Sequence, residues 1–230
     1  SPPPERGPQP MNVVPPQHAI LQRDNRTYAI TPRIPAGLLH RHHLLAIAAV
    51  VEKYHIPIVK ITSGQRLALV GIEEADLAQV YEELGMSPGT ATELCLHYVQ
   101  ACPGTEICRF GVRDALGLGI RLEGLLESRQ LPAKLKVGVS GCQFCCGESL
   151  VRDIGLIGKK SRWTVVFGGH SGNRPRTADT VGEDLDDDAA VALVEKCLAC
   201  YVQQARKRER TSRFVERFGV EAFRQIVGAP

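Results

Sequence analysis

Apolar positions recur at helical spacing over residues 38–54 and again over 73–84, where acidic residues open the helix at its positive end. Between them, residues 56–69 follow a strand-type pattern broken at Ser63-Gly64, and residues 28–32 form a short strand ahead of the first helix. Strand, helix, strand and helix in quick succession predict a small α/β unit, with residues 85–89 as a hinge. Beyond it the pattern predicts a helix over 113–126 and a buried strand over 135–139. Further strands are expected at 156–157 and 163–167. A helix over 189–208 is entered through the acidic run 183–188, and a last helical segment covers 211–227. Residues 1–17 carry seven prolines and little apolar pattern, which predicts an extended tail. The expected organisation is therefore a disordered tail over 1–17, a first domain over 18–89 and a second over 90–230.

Composition narrows the function classes. A hydrophobic fraction of 43% excludes a disordered chain, and 28 Lys plus Arg against 25 Asp plus Glu give a net charge of only +3. That balance does not point to nucleic acid, which calls for a concentrated basic face. No apolar run reaches the roughly 18–20 residues of a membrane helix, and no basic-then-apolar signal opens the chain, so a cytoplasmic location without a membrane is expected. Eight cysteines in such a setting read as metal or redox ligands rather than disulfides.

Cys102 and Cys108 form Cys-x5-Cys in ACPGTEICRFG, and Cys142 and Cys146 form Cys-x3-Cys in GCQFCCGES. Two close pairs from distant segments supply one thiolate per iron of a cubane iron–sulfur cluster. Gly104, Gly111, Gly141 and Gly147 beside them let backbone N–H groups approach the sulfurs. The alternatives are four buried free cysteines, or a structural zinc site, which Cys-x5-Cys fits poorly.

The pattern resembles the sirohaem and [4Fe–4S] signature of the sulfite and nitrite reductase family, over about residues 19–228. KITSGQRLALVGI (60–72) is similar to the family's ferredoxin-like half domain, and CRFGVRDALGLGIRLE (108–123) to the helix after the first cysteine pair. LPAKLKVGVSGC (131–142) and DIGLIG (153–158) resemble the strands around the second pair. GGHSGNRPR (168–176) is similar to the basic, glycine-rich loop near the haem. The likeness is to small single-repeat assimilatory-type sulfite reductases and to the sirohaem part of bacterial assimilatory nitrite reductases. It implies an α+β fold: a ferredoxin-like half domain, then the sirohaem and [4Fe–4S] domain.

The resemblance also implies the chemistry. Cys102, Cys108, Cys142 and Cys146 would hold the [4Fe–4S] cluster, with Cys146 shared between cluster and haem iron. Sirohaem carries eight carboxylates, which call for cations and N–H donors. Arg66, Arg109, Arg113, Arg174 and Arg176 are the candidate cations, with Asn173 and the Gly168-Gly169 backbone as neutral donors. Lys134 and Lys136, two apart on a strand, leave the same face. By resemblance they bind a small oxyanion and supply protons, together with Arg66. The implied reaction is the six-electron reduction of sulfite to sulfide. Nitrite reduction at the same site, a non-catalytic electron carrier and a tetrapyrrole-handling role are the alternatives. No Gly-x-Gly-x-x-Gly fingerprint is present, so electrons come from an external donor, a ferredoxin-like carrier or a partner subunit. The longer reductases carry two copies of this unit, so a homodimer is the expected assembly and a monomer the alternative.

Several residues depart from the family pattern. Gln143-Phe144 follow the third cysteine where Pro-Asn is common, and Gly64 stands where the longer reductases have an arginine. Cys145 is an extra thiol read as a packing residue. Cys197 and Cys200 on a helix face, and Cys95 on a helical segment, are read the same way, and His40, His42 and His43 as the polar start of a helix.

Overall fold

The computed structural model describes Pro16 and residues 18–90, 92–127, 129–160 and 162–228. Apart from Pro16, the proline-rich stretch 1–17 expected as a tail lies outside the described residues. The chain divides into two units, the first made of residues 1–33, 39–62 and 66–91, the second of 34–38, 63–65 and 92–230.

The first unit is an antiparallel sheet in the order β1-β2-β4-β3, with β1 Ala19–Leu21, β2 Tyr28–Ile30, β3 Ile58–Ile61 and β4 Leu67–Ile72. Two helices, α1 Arg41–Lys53 and α2 Leu77–Leu84, pack together. Ile47 and Val50 of α1 and Val80 and Leu84 of α2 are buried, as are Ile30, Leu69 and Ile72 of the sheet, which is the stripe the helical spacing selects. His40 caps α1, its N–H donating to His43 Nδ1 at 3.2 Å, so the histidine cluster does start the helix. The segment 85–89 is not a free hinge. Pro88 bridges Pro32, and the Arg33 N–H donates to the Ser87 carbonyl at 2.9 Å.

The second unit is built on a five-stranded sheet in the order β5-β6-β7-β8-β9. Strands β5 Leu96–Ala101, β6 Leu135–Ser140 and β7 Ile154–Lys159 run parallel, and β8 Arg162–Phe167 and β9 Asp179–Leu185 continue antiparallel. Helix α3, Ala115–Leu126, is capped by Asp114, whose carboxylate accepts the Gly117 N–H at 2.8 Å. It packs on β5 and β6, covering the face that carries Leu135, Val137 and Val139. Helix α4, Asp187–Gln204, capped by Asp186, packs on β8 and β9. Cys197 and Cys200 are buried on it, and burial pushes the Cys197 thiol up to about 12, so both act as apolar packing groups.

Three expectations change. Cys95 lies not on a helix but at the bend entering β5, whose residues are all buried and so show no strand alternation. The acidic run before α4 is largely the end of β9, paired to β8. The last helical segment is two helices, α5 Thr211–Phe218 and α6 Val220–Val227, parted at Gly219, whose φ of 91° no right-handed helix accepts.

Candidate active site

Parallel pairing of β5 and β6 places their carboxyl ends side by side, and both cysteine pairs follow those ends directly. The Cys102 N–H donates to the Val139 carbonyl at 3.0 Å, and the Gly141 N–H donates to Cys102 Sγ at 3.1 Å, so the first loop lies against the second. A Cβ on Gly141 would stand 2.7 Å from the Arg113 carbonyl oxygen and 2.8 Å from Gly104 Cα, a closeness only glycine permits. The Gly141 carbonyl in turn accepts the Val112 and Arg113 N–H groups at 2.8 and 3.1 Å. Phe110 and Phe144, one from each loop, meet edge to face with centroids 5.3 Å apart.

All eight cysteines are free thiols. Cys102 is buried, Cys108 and Cys142 are half-buried and Cys146 is exposed. The chain passes through the left-handed region at Cys145 (φ 57°) and Glu148 (φ 54°), strain of the kind that marks a held functional loop. Among the described residues no three His, Cys, Asp or Glu side chains close on one point as ligands of a single metal ion do. A [4Fe–4S] cluster asks for a wider set, one thiolate per iron, and the two joined loops offer four.

The sheet face opposite α3 is polar. Register pairs Tyr98 with Lys136 and Gln100 with Gly138, so these four share that face. Lys136 Nζ and the Arg152 guanidinium lie 5.6 and 5.7 Å from the Tyr98 ring centroid. A pocket of about 200 Å³ opens here, lined by Lys136, Arg152, Asp153, His170 and Arg210 together with Ser63. Asp153, 1% exposed, accepts Arg210 Nε at 3.1 Å and Nη2 at 2.6 Å, the Thr211 hydroxyl at 2.6 Å and the Lys136 N–H at 2.9 Å. Burial holds the Lys136 ammonium below the ordinary lysine range, and Arg210 and Arg152 push it further down against the pull of Asp153. His170 is lowered in the same way, by burial first and then by Arg210.

Of the residues singled out in the sequence, Cys102, Cys108, Cys142 and Cys146 lie on the two joined loops, and Lys136 lines the pocket. Lys134 is exposed one residue before β6, close enough to depress Lys136. Arg109 stacks over Phe110 at 4.6 Å. Arg113 pairs with Asp187 and lies 5.5 Å from the Trp163 ring, a brace of the fold. Arg176 donates to the Gly168 carbonyl at 3.0 Å and to Asp179 at 2.6 Å. Asn173 and Arg174 are exposed on the same loop. The Gly168 N–H is spent on the Asp153 carbonyl at 2.9 Å, and Gly169 is buried. Arg66 belongs to the first unit, where it donates to the Thr90 carbonyl at 2.9 Å and to Thr31 Oγ1 at 3.3 Å. Arg152, Asp153, His170 and Arg210 were not anticipated. Asp153 and His170 lie in the DIGLIG and GGHSGNRPR motifs, and Arg152 forms a charged pair with Asp153 directly before an apolar strand, but none was singled out as a site residue.

A cysteine-rich strand edge beside a cationic pocket suits an iron–sulfur oxidoreductase, and the chain belongs to the nitrite and sulfite reductase family. Residues 94–230 match the nitrite and sulphite reductase 4Fe-4S domain, and residues 20–87 the nitrite/sulfite reductase ferredoxin-like half domain. The family's cofactors are sirohaem and a [4Fe–4S] cluster, and the four free thiols on two touching loops suit the cluster. The chain is 52% identical over 212 residues to the assimilatory-type sulfite reductase of Nitratidesulfovibrio vulgaris, covering 92% of this chain and 97% of that one. It is 37% identical over 213 residues to the nitrite reductase [NAD(P)H] of Bacillus subtilis, covering 93% of this chain but only 26% of that enzyme. The fold is that of dissimilatory sulfite reductase I (TM-score 0.79, 13% identity, 89% of this chain and 69% of that one). It is also that of the NirA protein of Mycobacterium tuberculosis (TM-score 0.77, 17% identity, 90% and 42%).

Proposed function

We propose that the chain reduces sulfite to sulfide in a six-electron reaction, drawing electrons from an external donor in the cytoplasm. The observation that carries this reading is the 52% identity across almost the whole length of an assimilatory-type sulfite reductase. When bound, sirohaem supplies the iron at which the oxyanion is reduced, and the cluster supplies electrons to it. Cys102, Cys108, Cys142 and Cys146 would hold the cluster, and Cys146 is the most exposed of the four. Lys136 and Lys134 attract the anion, and Lys136, with its proton loosened by burial, delivers protons to the departing oxygens. Arg66, Arg109, Arg113, Asn173, Arg174, Arg176 and the Gly168-Gly169 backbone are the proposed contacts to the haem carboxylates and the anion. Of these, Asn173 and Arg174, exposed on one loop, have the freest side chains.

Nitrite is the second substrate, favoured by the match to the Bacillus subtilis enzyme. Steady-state kinetics with reduced methyl viologen separate the two. A kcat/KM at least tenfold higher for sulfite is expected, and a preference for nitrite would reverse the assignment. Among the described residues no helix is long and apolar enough to cross a membrane. A homodimer is part of the same proposal. The edge strand β3 exposes all four of its residues, including Ile58, Val59 and Ile61, and such an edge is a template for pairing with a second copy. Light scattering at twice the 25.1 kDa chain mass is expected, and a species at the single-chain mass would contradict it.

A further inference from the structure

Gln65 carries a backbone strain that neither the cysteines nor the lysine pair account for. Its φ of 58° lies in the left-handed region, where a residue other than glycine stays only if its surroundings hold it. Residues 63–65 belong to the second unit, and the Gln65 carboxamide is bound there to one backbone residue of β5. Its Nε2 donates to the Ala101 carbonyl at 3.1 Å, and the Ala101 N–H donates to its Oε1 at 3.1 Å. A Cβ on the neighbouring Gly64 would stand 2.6 Å from the Tyr98 ring, so glycine lets this turn lie directly against the strand. Strand β5 is the edge of its sheet, and successive strand residues point their N–H and C=O groups to opposite sides. The Cys102 N–H goes inward to the Val139 carbonyl of β6 at 3.0 Å, so the N–H and C=O of Ala101 face the open edge. Gln65 meets both, as a further strand would. The Ala101 carbonyl and the Cys102 N–H are the two ends of one planar peptide, which is therefore gripped by Gln65 on one side and Val139 on the other. Directly beyond that peptide is the buried Cys102 side chain, whose Sγ accepts the Gly141 N–H at 3.1 Å.

We propose that Gln65 is a positioning residue for Cys102: it completes the open edge of β5 at the last residue before the first cysteine loop and so keeps the Cys102 sulfur on the Gly141 N–H. This role rests on the reading of Cys102 as a cluster ligand. Hydrogen bonds to the sulfurs tune the potential of an iron–sulfur cluster, because reduction adds negative charge that a donor stabilises. Without the carboxamide the peptide is held from β6 alone, the N–H···S contact loosens and the cluster becomes harder to reduce.

The test compares the cofactor-loaded parent with Gln65→Met, which keeps the length of the side chain without its hydrogen bonds, and with Gln65→Gly. Glycine removes the side chain and suits the positive φ, so the turn itself is not at stake in that variant. Three quantities are read: iron and acid-labile sulfide per chain, deuterium exchange at the Ala101 amide, and the cluster midpoint in a redox titration followed by electron paramagnetic resonance. Both variants are expected to exchange the Ala101 N–H roughly tenfold faster. Their cluster midpoint is expected to move to more negative potential, so that the ratio of reduced to oxidised cluster at the parent's midpoint falls about threefold. A merely structural role would lower the yield of loaded protein and leave the midpoint of the loaded fraction at the parent's value, and that result would overturn the proposal. Parent-like exchange and midpoint in Gln65→Gly would overturn it too, whatever becomes of Gln65→Met. A folded variant that takes up no cluster is decided by its exchange: faster exchange at Ala101 upholds the role of Gln65, and parent-like exchange overturns it. A parent that takes up no iron refutes the reading of Cys102 and this role with it, a failure distinct from a loaded parent whose variants do not change.

Discussion

The chemistry of Lys136 is set by its surroundings. Burial, Arg210 and Arg152 all favour its neutral form, and Asp153 alone opposes them. Its folded pKa lies below that of an unfolded lysine, so the unfolded chain holds this proton more tightly. Stability from this group therefore rises with pH between its folded pKa and about 10.4. On the proposed function, activity runs the other way, since the protonated form would bind the anion. The alkaline limb of the sulfite rate is expected below the ordinary lysine range, and it should vanish in Lys136→Arg, which keeps its charge throughout. An unchanged limb in that variant would remove Lys136 from the reaction. Asp153 is the structural counterpart. Asp153→Ala strands Arg210 and the Thr211 hydroxyl, and a loss of about 3 kcal/mol is expected in urea unfolding. A loss below about 1 kcal/mol would show that the pair is no hub. The two cysteine loops were legible in the sequence because the spacing and flanking glycines are local features. The Arg152, Asp153 and Arg210 group was not, since it exists only once β6 and β7 are in register and α5 is folded against them.

At the scale of elements, the site depends on two parallel strands ending at one edge. Long apolar stretches with clear periodicity, α1, α3, β6 and β8, were readable from the sequence. Strand β5 was not, because burial of every residue removes the alternation that marks a half-exposed strand. Strand β9 was hidden by its acids, which resemble a helix entrance, and the break between α5 and α6 turns on one glycine. The tight passage at Gly141 gives the element-scale prediction. Gly141→Ala forces the two cysteine loops apart by a few tenths of an ångström or more, since its Cβ would meet the Arg113 carbonyl and Gly104. Iron and acid-labile sulfide are expected to fall several-fold, while far-ultraviolet circular dichroism is retained. Full cluster content in Gly141→Ala would show that the loops tolerate separation.

At the scale of the molecule, the chain joins a ferredoxin-like half domain to a 4Fe-4S domain, and together they match 26% of the length of the Bacillus subtilis nitrite reductase. The α+β architecture and its family were legible because several motifs stand in the right order. The cationic pocket was not, because it is assembled from β6, the turn before β7, the loop after β8 and the start of α5. On the proposed function, these parts carry sulfite through to sulfide. The most direct measurement is sulfide released per electron consumed, with anaerobically purified protein and a reduced viologen. The expected result is one sulfide for every six electrons, from protein whose spectrum shows a sirohaem band and iron in excess of haem. Electron uptake without sulfide, or a cluster spectrum lacking any haem band, would contradict it.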